Sequence, residues 1–314
     1  MRLAFAAAAL VLAAAAVSVA AFVAREESAP PEERPAAREW TLAAPMAHRR
    51  SYVAAAEVEG RIYVAGGMVG ETGRRLAIFE RFDPAANEWT TLTPLPEAVR
   101  AGAAAAVGRV VYVIGGTTER GGGRQVFAYD VRRAAWRRRA PLPAPRFNHA
   151  AVALGGKVYV LGGFFGTDEQ DDVFVYDPAA DRWSRERSLP RPVHAFGAVV
   201  FRRQIWVLGG RRGEAVLRDV SIYDPMSGRW RRGPAMPKAM ELLGAAVAGD
   251  DLHAVWESTY QIFDPRTRQW ASGPRPRVPR HGLAVFSIRG SLYAIGGCTT
   301  ELRDSQVVER RRVA

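Results

Sequence analysis

The chain has 314 residues, 48% of them apolar, with 30 glycines and 20 prolines. That is enough for one large core or two modest ones, and it favours many short strands and turns over long helices. A net charge of +12 favours anionic partners, and a single cysteine, Cys298, excludes an intrachain disulfide framework or a cysteine-based zinc site.

Arg2 precedes an uncharged run, Leu3 to Ala24, of twenty-two residues, twelve of them alanine. The length permits a membrane span. Ser18–Ala20 and Val19–Ala21 fit the small-residue rule for signal cleavage. Residues 1–24 therefore read as a signal peptide, favoured over an N-terminal membrane anchor. Either one puts the rest of the chain outside the cytoplasmic membrane, in the periplasm or beyond. Residues 25–37 are rich in proline and charge and read as a disordered linker.

From residue 38 onward the chain repeats. Trp40, Trp89, Trp136, Trp183, Trp230 and Trp270 are separated by 49, 47, 47, 47 and 40 residues. Glycine pairs stand at Gly66 and Gly67, Gly115 and Gly116, Gly162 and Gly163, Gly209 and Gly210, and Gly296 and Gly297. Asp83, Asp130, Asp177, Asp224 and Asp264 each lie six residues before a tryptophan, four of them followed by proline. Each unit carries four strand-like runs, the first small-sided, the second and third β-branched and aromatic, the fourth bearing the tryptophan. The aspartate starts a tight turn between the last two. A four-stranded unit of this length is a propeller blade.

The glycine pair, the aromatic-Asp-Pro turn and the tryptophan six residues on resemble the kelch repeat. The resemblance covers residues 38–314. It implies an all-β, six-bladed kelch-type β-propeller with the small-residue strand at the central channel. The sixth unit has its first strand near 281–288, its second at 292–297 and its third near 306–310, and then the chain ends. Glu39–Leu42 is expected to supply the missing outer strand, so that the N-terminal strand closes the last blade. The fifth unit departs from the pattern. His253 takes the tyrosine position and Trp256-Glu257 replaces the glycine pair, so this blade has either decayed or been remodelled.

The resemblance also implies a ligand site at the channel mouth, where the segments entering the inner strands meet the loops after the glycine pairs. Aligning the units on their second strands places Arg50, Arg100, Arg146 with Asn148 and His149, His194, Glu241, and Arg280 with His281 at the mouth. Such a cationic ring suits a carboxylate or an acidic sugar. Glu241, or Glu257 of the altered blade, is the candidate general base. The expected function is a binding module for an unknown protein or acidic glycan. Bacterial exported kelch propellers include the sialic-acid mutarotases, which makes an isomerase of acidic sugars the alternative. No cofactor and no metal are expected. A copper site of the kind some kelch-type oxidases carry would need paired tyrosines, and only Tyr52 is a candidate. Cys298 reads as a partly exposed loop thiol. "RRAAWRRR" (Arg132 to Arg139) carries its tryptophan in the blade register, so its arginines read as a solvated outer strand and nucleic acid is not an expected partner. The chain reads as a monomer.

Overall fold

A computed structural model describes residues 39–313 apart from 71, 72, 120, 122, 300 and 302. The expected leader (1–24) and linker (25–37) lie outside the described residues. Among those residues there is no helix. The chain forms six four-stranded antiparallel sheets, each a meander from an inner to an outer strand. Blade one comprises Ala54–Val58, Arg61–Ala65, Phe79–Asp83 and Glu88–Thr91; blade three comprises Ala150–Leu154, Lys157–Leu161, Val173–Asp177 and Arg182–Glu186. The all-β, six-bladed kelch propeller expected from the repeats is the architecture observed.

Side-chain size follows position along each blade. Inner strands such as Ala103–Val107 are alanine-rich, because blades converge at the axis and leave room only for small groups. The two middle strands are buried on both faces. They carry the β-branched and aromatic residues that fill the widening gap to the next blade. Tyr63 of blade one lies 6.5 Å from Tyr129 of blade two, inside one apolar cluster. Outer strands are exposed apart from the half-buried tryptophan.

Each of the six repeat tryptophans also clasps the blade before it. The indole N–H groups of Trp89, Trp136, Trp183, Trp230 and Trp270 donate to the backbone carbonyls of Ala44, Thr93, Ala140, Arg187 and Pro234. Trp40 donates to Pro274 at 2.9 Å. The repeat aspartates accept backbone N–H groups two residues on, as Asp83 does from Ala85 at 3.0 Å, which fixes the hairpin into the outer strand.

Blade six closes with both ends of the chain. Thr41–Ala43 pairs with Val308–Arg312 in the register Thr41↔Arg310, Leu42↔Glu309, Ala43↔Val308. The closing strand and the third strand each start two residues later than expected. The glycine pairs mark where neighbouring backbones touch. A Cβ on Gly162 (φ +53°) would lie 2.7 Å from the Val193 carbonyl of the next blade, and one on Gly163 (φ +102°) 2.7 Å from the His149 Cβ of its own. The Gly163 N–H donates to that Val193 carbonyl at 2.9 Å.

Blade five keeps this link without glycine. Glu257 adopts φ +49°, and its N–H donates to the Arg280 carbonyl at 2.7 Å. The second and third strands, Asp251–Trp256 and Thr259–Asp264, run straight into each other.

Candidate functional site

The inner strands of all six blades line a channel cavity of about 520 Å3. Its wall is mostly alanine, glycine and valine; Glu57, His149 and Ser287 are its polar side chains. At one end the segments entering the inner strands form a collar. Tyr52, Ala101, Asn148, Ala195, Leu242 and Gly282 occupy equivalent positions, all with φ between +48° and +62°. Five backbone links join them: each N–H from Ala101 to Gly282 donates to the carbonyl of the preceding collar residue, at 2.5–3.0 Å. The collar surrounds a cavity of about 110 Å3.

One residue before each collar position comes the rim of the mouth: Ser51, Arg100, Phe147, His194, Glu241 and His281. Five of these pair with the residue after their blade's glycine pair: Ser51 with Met68, Arg100 with Thr117, Phe147 with Phe164, His194 with Arg211, and His281 with Cys298. Of the expected mouth residues, Arg100, His194, Glu241 and His281 stand on this rim, and Asn148 is in the collar.

The others lie elsewhere. Arg50, Arg146 and Arg280 sit one position earlier and are buried, at 0%, 0% and 1% exposure. The equivalent positions in the remaining blades hold Val99, Val193 and Met240, all buried. Arg50 meets Glu80 at 2.8 Å and Arg280 meets Glu309 at 2.7 Å. The Arg146 guanidinium donates to the Gly162 carbonyl and stacks over Phe174. Burial pulls the Arg50 and Arg146 pKa values down to about 10, partly offset by Glu80 and Asp172. These three arginines join strands within blades and do not reach the mouth. His149 lies one layer below the collar, buried against Gly115. Desolvation, with Arg146 nearby, lowers its pKa to about 3, so it is neutral. Cys298 is buried rather than partly exposed.

The mouth is therefore a set of cation–carboxylate pairs rather than a cationic ring. Arg211 forks Glu241 at 2.6 and 3.2 Å. His194 Nδ1 lies 3.3 Å from Glu169, and His281 Nδ1 lies 3.7 Å from Glu257. Burial keeps the His194 pKa below its ordinary value despite Glu169 and Glu241. Asp304 accepts the Ser51 hydroxyl at 2.5 Å and the Gly70 N–H at 2.7 Å. Arg100 is different. Its guanidinium donates to Thr117 Oγ1 and the Gly73 carbonyl, and no carboxylate among the described residues is within ion-pair distance. Phe147 and Phe164 pack edge to face beside it on the rim, and Phe164 lies 5.1 Å from the His194 ring.

Tyr52 belongs to the centre of this group. Burial raises its phenol above the ordinary value, Cys298, Glu241 and Asp304 add to the rise, and Arg100 opposes it. Tyr52 lines the small cavity inside the collar, and its phenol is protonated at neutral pH and able to donate. Tyr52 was expected at the mouth only as a lone tyrosine and not in the ligand ring, and Arg211, Glu169 and Asp304 were not expected there. Alignment on the collar position, one residue further on, would have shown Tyr52 opposite Asn148. The other three come from loops whose pairing has no sequence signature. Among the described residues, no group of three His, Cys, Asp or Glu side chains converges to hold a metal.

A family model for the KLHDC2/KLHL20/DRC7 Kelch-repeats domain matches residues 52–255. No curated protein matches the chain. Among solved structures, that of YjhT superposes with a TM-score of 0.75 at 15% identity, covering 85% of this chain and 96% of that one. At that identity the likeness is one of fold. With the family model spanning most of the repeats, and the blade anatomy on which those repeats are built, the chain belongs to the kelch-repeat β-propeller family.

Proposed function

We propose that the chain is a binding module whose ligand sits at the channel mouth, and that this ligand is a small hydroxyl-rich molecule bearing a carboxylate, of the acidic-sugar class. The observation that carries this reading is Arg100, a rim guanidinium without a carboxylate of its own among the described residues, set beside the protonated Tyr52 phenol. A ligand carboxylate would complete its hydrogen bonding through a charge-assisted contact. Glu241, Glu257 and Asp304 supply acceptors for hydroxyls, and Phe147 with Phe164 offers an apolar wall for a sugar face. Calorimetric titration with glucuronate, N-acetylneuraminate and glucose tests it. The acids bind and glucose does not, and Arg100→Met weakens the acids by about tenfold or more, the scale of one charge-assisted contact. Equal binding by Arg100→Met, or equal binding of glucose, contradicts the proposal.

One observation favours a second reading, mutarotation of the same ligand class. A proton donor, Tyr52, and a carboxylate acceptor, Glu241, share the mouth. The carboxylate would take the anomeric hydroxyl proton while an acid protonates the ring oxygen. The ring C–O bond then breaks, a carbonyl forms, and reclosure on either face exchanges the anomers. The Arg211 fork would hold Glu241 in place, and Glu257 beside His281 is the other candidate base. Anomer exchange followed by NMR separates the readings: loss of catalysed exchange in Glu241→Gln with binding retained supports the enzyme, and no catalysed exchange in the unaltered chain leaves binding alone. On the residues of the N-terminal run, we place this module outside the cytoplasmic membrane, acting as a monomer.

A further inference from the structure

The rim of the propeller is unevenly charged. The outer strands of three consecutive blades, Ala135–Arg138, Arg182–Glu186 and Arg229–Arg232, carry Arg137, Arg138, Arg182, Arg185, Arg229, Arg231 and Arg232, all exposed. The outer strands of the other three blades, Thr41–Ala43, Glu88–Thr91 and Gln269–Ser272, carry no basic residue. Arginine also stands beside the other outer strands, as Arg266, Arg268, Arg310 and Arg312 do, but within the outer strands themselves it falls in three consecutive blades. Carboxylates accompany these arginines: Asp130, Asp181 and Glu186 lie in or beside the outer hairpins, and Asp219 lines a cleft between blades three and four. Arg138 lies 3.9 Å from Glu97, Arg185 lies 3.2 Å from Asp172, and both guanidinium groups also rest on Phe127 and Phe174.

Arginine-lined clefts occur on both halves, but the one at the junction of blades six and one, lined by Arg289, Arg310 and Arg312, has no tryptophan in its wall. Two clefts, of about 270 and 460 Å3, open at the junction of blades three and four. Trp230 lines both, together with Arg187, Arg191, Arg229, Arg231 and Arg232 between them, against one carboxylate, Asp219, in the smaller cleft. The half-buried Trp230 indole is held by its N–H bond to the Arg187 carbonyl. A fixed aromatic wall ringed by guanidinium groups suits a sugar ring bearing an acidic group.

From the one-sided arginine rim and the clefts at its centre, we infer that this chain binds a linear acidic polysaccharide along blades two to four, with one acidic residue of the polymer seated against Trp230. This is a second site, on the circumference, independent of the mouth. Shape selects the polymer. Three strand spacings of about 4.8 Å plus the channel put the outer strands roughly 20 Å from the axis, so the basic sector is a convex arc. A flexible chain can follow that arc, whereas a flat membrane meets only a blade or two of it. A single-stranded nucleic acid would need successive exposed aromatic platforms. Trp230 is the one outer-strand tryptophan that lines these two clefts; Trp136 and Trp183, half-buried like it, line neither and so do not extend the platform.

Polygalacturonate and heparin serve as probes, with phosphatidylglycerol vesicles and a single-stranded oligonucleotide as competing surfaces. The full chain binds both polysaccharides, with affinity that falls as salt rises. The variant R187S/R229S/R231S/R232S loses about tenfold or more. The variant R266S/R268S/R310S/R312S removes the same charge from the opposite half and changes affinity by less than about threefold. Unaltered melting curves show that both variants are folded. Equal losses in the two four-site variants would reduce the effect to net charge and overturn the inference. Tighter binding to vesicles or oligonucleotide, lost in the first variant, would overturn the choice of polysaccharide.

Discussion

Arg50 and Glu80 meet at 2.8 Å with both side chains fully out of water. A buried ion pair contributes little net stability, because desolvation offsets the attraction, but removing one partner leaves an uncompensated charge. The chain contains its own neutral counterpart: in blade five the same two positions hold Met240 and Gln261, whose amide contacts the Met240 sulfur. Arg50→Met is therefore expected to cost about 3–5 kcal/mol, and adding Glu80→Gln to recover most of it. Urea denaturation of the single and double variants measures both numbers; a double variant no better than the single would show that the pair is not one unit. Arg50 also shows where reading the sequence stops. Successive residues entering a strand face different ways, so a shift of one separates a buried strand-joining arginine from a rim arginine. Val99, Val193 and Met240 stand in the Arg50 column, and that apolar company was the legible sign that the column is buried. Nothing comparable marks Arg211, Glu169 or Asp304, whose places depend on loop paths between blades.

Blade five is where an element departs from its siblings, and the departure is internal as well as at the mouth. His253 replaces the aromatic residue of the other second strands, tyrosine in four blades and Trp206 in blade four, and its ring stacks on Tyr260 with a 2.7 Å hydrogen bond to the phenol. Tyr260 in turn packs edge to face on Trp40, so the substitution forms part of the seam where the chain closes. Burial lowers the His253 pKa to about 4, the Ala248 carbonyl opposing and Arg311 assisting. The unfolded chain takes up a proton near pH 6.5 that the folded blade resists until about pH 4. Stability is then full above pH 6.5 and declines as the pH falls towards 4, by about 1.4 kcal/mol per pH unit for this one group. His149 adds a decline of the same sign. His253→Phe should flatten the profile by about one histidine's share. An unchanged slope in that variant would show that His253 is not what couples folding to pH. At this scale most was legible. Strand order, the Asp-Pro hairpins and the tryptophan strands all follow from local spacing. Glu257 taking the glycine backbone at φ +49° was not, because its N–H link to blade six is long-range.

At the scale of the whole molecule, six indole bonds and six glycine-type backbone links run around the ring; Trp40, ahead of the strand that closes blade six, supplies the sixth indole bond, and the Gly297 N–H donating to the Arg50 carbonyl supplies the sixth backbone link. Closure leaves no free sheet edge between first and last blade, and it fixes which side chains meet at the mouth. The repeat count made this legible: five complete units, a sixth lacking its tryptophan, and a tryptophan with no strands before it. The uneven charge of the circumference was present in the same outer-strand sequences, yet its one-sidedness appears only once the blades are placed around an axis. The most direct test of closure is a covalent bond across the seam. Thr41 and Arg310 are exposed and paired directly opposite each other; such residues lie about 4.5–5.5 Å apart at Cα, within the span of a disulfide. In a Cys298→Ser background, Thr41→Cys with Arg310→Cys should oxidise to an intramolecular disulfide, seen by mass spectrometry of the unreduced digest, and raise the melting temperature. A pair that stays reduced, or that crosslinks only between molecules, would mean that the two ends do not meet and that the mouth is not assembled as described.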